Sequence, residues 1–136
     1  MALRPDVYDN AKDMNGDQLQ HGNPEAPLLS VIIPALNEED GIADIVHRVN
    51  GIATALKEAG LRGLEIIVVD DGSKDRTADI VASMPEARLI RHSVNSGYGA
   101  AIKTGFRHAG GELLAFMDAD GTYPPEKLPE LCLSIL

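Results

Sequence analysis

A chain of 136 residues, 44% hydrophobic and 24% charged, has the length and composition of one domain around one core. Its net charge of -9 argues against a non-specific grip on nucleic acid or on anionic lipid, and the lack of Trp argues against base stacking on an aromatic platform. The one cysteine, Cys132, excludes an internal disulfide and suits a reduced, cytoplasmic setting; the N-terminus is too polar for a signal peptide, and no apolar run is long enough to cross a bilayer.

Residues 1–27 are polar and without a sustained period, which predicts a largely disordered or weakly docking arm. Leu28-Leu29-Ser30-Val31-Ile32-Ile33 predicts a central strand that Pro34 ends. In the following Ala35-Leu36-Asn37-Glu38-Glu39-Asp40, Asn37 suits a helix cap, and the acids suit a first helical turn on a solvated face. Ile42, Ile45, Val46, Val49, Ile52, Ala53 and Leu56 recur at helical spacing and predict one helix that stops near Gly60. Leu64 to Val69 predicts a second strand, which runs into Asp70-Asp71-Gly72-Ser73. Gly72 permits a sharp turn there, and Ser73 or Asp75 can cap a short helix from about Asp75 to Met84.

Arg88-Leu89-Ile90-Arg91 predicts a weaker strand. Asn95-Ser96-Gly97-Tyr98-Gly99-Ala100-Ala101 then opens a helix that carries Ile102, Phe106 and Ala109. A glycine-rich lead-in can bring backbone N–H groups to an anion, and small residues equally suit close packing of helix on sheet. It is not a dinucleotide fingerprint, because Ile102 stands where the third glycine belongs. Lys103 and Arg107 share a face of this helix; they are the cations best placed in sequence to approach a phosphate, and also ordinary solvated surface.

Leu113-Leu114-Ala115-Phe116 has the length of a strand buried on both faces. It surfaces at Met117-Asp118-Ala119-Asp120-Gly121, where Gly121 and Pro124-Pro125 end it. Two carboxylates held close repel unless a cation or protein donors compensate, and a hard ion such as Mg2+ or Mn2+ would share them with phosphate and water. An isolated Asp-x-Asp is also ordinary turn chemistry. Glu126 to Leu136 predicts a last helix that begins at prolines and ends while still apolar.

The alternation of strand and helix predicts an α/β fold: a mostly parallel open sheet with helices on both faces. Parallel strands place their carboxyl ends on one edge, where ligands bind. Asn37-Glu38-Glu39, Asp70-Asp71 and Asp118-Asp120 should therefore converge there, which turn chemistry alone does not require.

In these stretches the sequence resembles the inverting glycosyltransferases of family 2, with the GT-A fold, and above all the polyprenol-phosphate glycosyltransferases. The matching segments are Val31 to Glu39, Val68 to Thr77, Asn95 to Ala101 and Met117 to Gly121. The resemblance implies that residues 28–136 are the nucleotide-sugar-binding portion of such a domain. It implies that Pro34, Ala35 and Glu38 line a nucleoside pocket, with Asp70 near base or ribose and Asp71 accepting hydrogen bonds from the base. Gly97 would let the backbone pass close to the nucleotide. Asp118 would face the ribose or diphosphate and share with Asp120 the Mg2+ or Mn2+ that stabilises the leaving group.

The implied donor is a UDP- or GDP-sugar, and the implied acceptor a polyprenyl phosphate at the cytoplasmic face of a membrane. The family carries roughly another half-domain after Asp-x-Asp, where the catalytic group is expected. The chain therefore reads as truncated, a partial gene product or part of a split protein, with self-association or a partner chain through its C-terminal half. Two other readings are a nucleotide- or partner-binding module without turnover, and a sugar-phosphate nucleotidyltransferase. The second needs a basic glycine-rich loop after the first strand, where this chain has Asn37-Glu38-Glu39.

Overall fold

The computed structural model describes residues 7–10 and 25–136. Leu28–Ala35 (β2) and Gly63–Asp70 (β3) pair in parallel along their whole length, from Leu28 opposite Gly63 to Ala35 opposite Asp70. Ala87–His92 (β4) adds in parallel on the far side of β3, and Leu113–Phe116 (β5) in parallel on the far side of β2. A short antiparallel strand, Val7–Asp9 (β1), completes the sheet, whose order is β1-β4-β3-β2-β5.

Side chains alternate across the strands, so each strand feeds two cores. Val31, Ile33, Ile66, Val68 and Leu89 pack on one face. With them pack residues of Ile42–Asn50 (α1), Ala53–Glu58 (α2), Thr77–Ala82 (α3) and Leu128–Ile135 (α5). Ile32, Ile67, Val69 and Ile90 face the other side, under Ala101 and Phe106 of Tyr98–His108 (α4). Helix α4 lies close on β2: a Cβ added to Gly105 would come within 2.3 Å of Ile32 Cγ2. Only glycine permits that approach, and it fixes how closely the second half of α4 lies on the sheet.

Several expectations are corrected. Of the polar arm, Val7–Asp9 takes the docking alternative as a regular strand, tied down by the Asp9–Arg88 ion pair and by a 2.9 Å bond from the Asn10 N–H to the Leu89 carbonyl. The half-buried Arg88 guanidinium and the open edge of β4 both gain a partner by it. The rest of residues 1–24 lies outside the described residues.

The long first helix is two, broken at Gly51 and Ile52. Asn37 does not cap it: α1 begins after Gly41 without a side-chain cap, and the Gly41 and Ile42 N–H groups donate to the Glu38 carbonyl. Strand β5 is an edge strand rather than a doubly covered one, leaving Leu114 and Phe116 about half exposed, at 47% and 52%. The last helix opens with a 3-10 turn, Pro125–Lys127, and α5 buries Leu128 and Cys132 while Leu131, Leu133 and Ile135 stay exposed. Among the described residues, no helix is long and apolar enough to cross a membrane.

Candidate functional site

The carboxyl ends of β2, β3 and β5 and the start of α4 enclose a cleft of about 380 Å3. Pro34, Ala35 and Glu38 line it from the β2 side, Asp71 from β3, and Asp118 and Asp120 from the loop after β5. The acidic clusters therefore do meet at one edge.

The loop after β2 is clasped to the loop after β3. The Asn37 N–H donates to Ser73 Oγ at 2.8 Å, and the Lys74 N–H donates back to Asn37 Oδ1 at 2.9 Å. The Glu38 N–H donates to Thr77 Oγ1 at 2.8 Å and the Glu39 N–H to Asp75 Oδ2 at 3.2 Å, while Glu39 Oε2 accepts the Arg76 N–H at 3.1 Å. Asn37 takes a left-handed φ of 54°, which asparagine tolerates, and so turns its side chain to this use. Glu39 thus serves the clasp rather than a helix dipole. The Glu38 carboxyl remains in the cleft. Partial burial, then the charges of Asp120 and Asp75, hold its pKa above the usual carboxylate range.

Asp70 and Asp71 are buried differently from what adjacent acids at a sheet edge suggest. Asp70 is fully buried and outside the cleft lining. Its Oδ2 pairs with Arg91 Nε at 3.1 Å and accepts the Ser73 N–H at 3.3 Å, while its Oδ1 has no hydrogen-bond partner. Asp71 reaches the cleft but is 4% exposed. Its Oδ1 accepts from the Ser96 N–H and meets His92 Nδ1, each at 2.8 Å, and its Oδ2 accepts the Gly97 N–H at 2.8 Å. A carboxylate has about four acceptor directions, so roughly one remains for a ligand. Gly97 precedes α4 with φ 105°, open to glycine, and spends its N–H on Asp71.

Asp118 and Asp120 are exposed, separated by the buried Ala119. The Tyr98 hydroxyl donates to Asp118 Oδ1, and the Thr122 N–H donates to Asp120 Oδ1 at 3.0 Å. The hydrogen bond to Asp118, with burial and the two carboxylate charges, pushes the Tyr98 phenol up to about 12. Tyr98 is thus a donor at any working pH.

Three predicted site residues are not in the cleft lining: Gly97, which stands beside it at the start of α4, Asp70 and Lys103. Asp70 turns away from the cleft because alternation along β3 sends neighbouring side chains to opposite sides. Lys103 lines a separate cavity of about 220 Å3, with Arg107 and His92, on the α4 face of the sheet. Tyr98 and Ala101 line the cleft from one side of α4 and Lys103 lies on another side, so sequence proximity to the glycines misplaced it. Sequence reasoning missed Tyr98, His92 and Thr104. Tyr98 stands inside a segment already singled out; nothing in the sequence joins His92 to Asp71.

The chemistry of the cleft is one-sided. Glu38, Asp71, Asp118 and Asp120 line it, and among the described residues no Lys or Arg does. Among the described residues, no three metal-ligating side chains form a cage. Two exposed carboxylates with open oxygens instead suit a hard divalent ion that takes its remaining ligands from phosphate and water. Such an ion would fit here, held by Asp120 and Asp118.

Comparison with known proteins bears on the family and the fold. An undecaprenyl-phosphate 4-deoxy-4-formamido-L-arabinose transferase of Edwardsiella ictaluri is 37% identical over 109 residues, 76% of this chain and 32% of its own. The chain thus spans about a third of the length of the curated relatives it matches. Among solved structures, a mannosyltransferase from Pyrobaculum calidifontis, in complex with GDP-Man and Mn2+, superposes with a TM-score of 0.61 at 25% identity, covering 85% of this chain and 33% of that one. S. aureus TarS 1-349 in complex with UDP-GlcNAc gives 0.55 at 28% identity, over 68% of this chain and 26% of that one. These neighbours share the α/β sheet of the GT-A fold. The sequence profile described as Glycosyl transferase family 2 matches residues 30–135, and on that ground the chain belongs to this family.

Proposed function

We propose that the cleft binds the nucleotide-sugar donor of a metal-dependent glycosyltransferase, as a UDP- or GDP-sugar. The observation that carries this reading is a cleft that, among the described residues, is lined by four carboxylates and no cation. A diphosphate cannot approach such a surface without a counter-charge. When bound, Mg2+ or Mn2+ screens the diphosphate and stabilises it as a leaving group. Asp120 and Asp118 hold the ion, and the Tyr98 hydroxyl orients Asp118. Pro34 and Ala35 form an apolar wall for the nucleoside. Glu38 and the remaining acceptor direction of Asp71 offer hydrogen bonds to it.

The acceptor in this reading is a polyprenyl phosphate, in keeping with the name of the Edwardsiella relative. That chemistry belongs at the cytoplasmic face of a membrane. The open edge of β5, with the exposed Phe116 at its end, is the surface through which copies of the chain associate, an outcome light scattering checks.

Calorimetry with UDP- and GDP-sugars, with and without Mn2+, tests the reading. Binding of at least one donor that depends on Mn2+ supports it. No binding of either in Mn2+ overturns it.

A further inference from the structure

His92, the last residue of β4, is a buried histidine with a use for both ring nitrogens. It is 5% exposed. Its Nδ1 lies 2.8 Å from Asp71 Oδ1 and its Nε2 lies 2.8 Å from Thr104 Oγ1. An ionised carboxylate only accepts, so Nδ1 carries the proton and donates to Asp71. Nε2 faces the Thr104 hydroxyl, on α4, which can donate to it or accept from it.

The ring thereby grips one segment at two points. Through Asp71 it reaches the Ser96 and Gly97 N–H groups, at the lead-in to α4. Through Thr104 it holds the body of that helix. Asn95 and Tyr98, which line the acidic cleft, stand on the segment so held, and Tyr98 in turn donates to Asp118. His92 itself lines the other cavity and not the cleft.

We propose that His92 is a positioning residue for the cleft: through its Nδ1–H it fixes the Asp71 carboxylate, which fixes residues 95–98. The residue needed is one with a donor at the Nδ1 position. The amide nitrogen of Asn can occupy that place, whereas the longer Gln presents its amide where Nε2 was. His92→Asn should therefore preserve the arrangement, and His92→Gln should lose it.

The affinity arm of the test rests on the donor-site reading; the first two arms do not. In the ligand-free wild type, nitrogen-detected NMR of the His92 ring should show a proton on Nδ1. A ring protonated at Nε2 alone overturns the proposal. Amide hydrogen exchange at Ser96 and Gly97 should quicken about tenfold in His92→Gln and stay near wild type in His92→Asn, with the amides of Ile67 and Val68 unchanged in both. Equal exchange in the two variants overturns it. If His92→Gln does not fold, His92→Asn alone decides: retained protection at Ser96 and Gly97 supports the proposal, and lost protection overturns it. Calorimetry with UDP and GDP in Mn2+ should then give a Kd raised about tenfold in His92→Gln and near wild type in His92→Asn. If the wild type binds neither nucleotide, the donor-site reading fails, while the ring and exchange measurements still decide the role of His92.

Discussion

Asp70 and Asp71 close β3 at 0% and 4% exposure, with their oxygens directed at Arg91, His92 and the backbone of the Ser73 and Ser96–Gly97 turns. Asp118 and Asp120 follow β5 at the same edge, exposed, with one hydroxyl and one backbone N–H between them as donors. One sequence signature, an acidic pair at a strand's carboxyl end, thus serves two purposes. Position in the sheet decides which. Strand β3 lies between β2 and β4, so its end is covered by loops from both sides, and buried carboxylates there must be paired. Strand β5 is an edge, so its acids keep their oxygens for a ligand. Buried acids build the frame of the cleft, and exposed acids supply its charge.

The largest effect that would separate the pairs comes from Asp71. Asp71→Ala leaves the buried His92 Nδ1–H and the Ser96 and Gly97 N–H groups without their acceptor, and should cost about 3 kcal/mol in urea denaturation. A loss of nucleotide affinity without a loss of stability would instead make Asp71 a ligand contact only. Arg91→Ala strands Asp70 as a buried charge. It should cost about 2 kcal/mol by the same measurement, less than for a fully buried pair because the guanidinium is 43% exposed. On the exposed side, Tyr98→Phe removes the donor to Asp118 and should move stability by less than about 0.5 kcal/mol. A loss several times larger would show that Asp118 is also framework.

The smallest effect concerns Glu38. Its folded-state pKa is raised, so the protonated form favours folding and that contribution is lost as pH rises through the raised value. Glu38→Gln should match the wild-type Tm near pH 4 and exceed it by about 1–2 °C near pH 7. A variant less stable than wild type at neutral pH would contradict the acidic repulsion assigned to the cleft.

The fold was largely legible. The β-branched run Leu28 to Ile33, the strand Leu64 to Val69 and the acidic strand ends carry their own local signals, and parallel pairing brings those ends together. What was not legible depends on neighbours distant in sequence. Residues Val7–Asp9 read as polar arm because the partner that orders them, Arg88 on β4, is far along the chain. β5 read as doubly covered because Leu113-Leu114-Ala115-Phe116 is apolar throughout; only the fold shows that the face bearing Leu114 and Phe116 is left open. Lys103 read as a phosphate ligand because adjacency to Gly97 in sequence says nothing of which side of α4 it occupies. That Asp71 also holds His92 was not legible, because that histidine lies at the end of a different strand.

The measurement closest to the central claim is calorimetry on Asp120→Asn, with nucleoside and nucleoside diphosphate compared in Mn2+ and thermal stability recorded beside them. If the exposed pair serves the ion and not the fold, the variant keeps its Tm within about 2 °C and its affinity for the nucleoside. In that case it loses about tenfold or more in affinity for the diphosphate. Equal losses for both ligands, or a Tm lowered as far as by Asp71→Ala, would contradict the division between framing and ligand-facing acids.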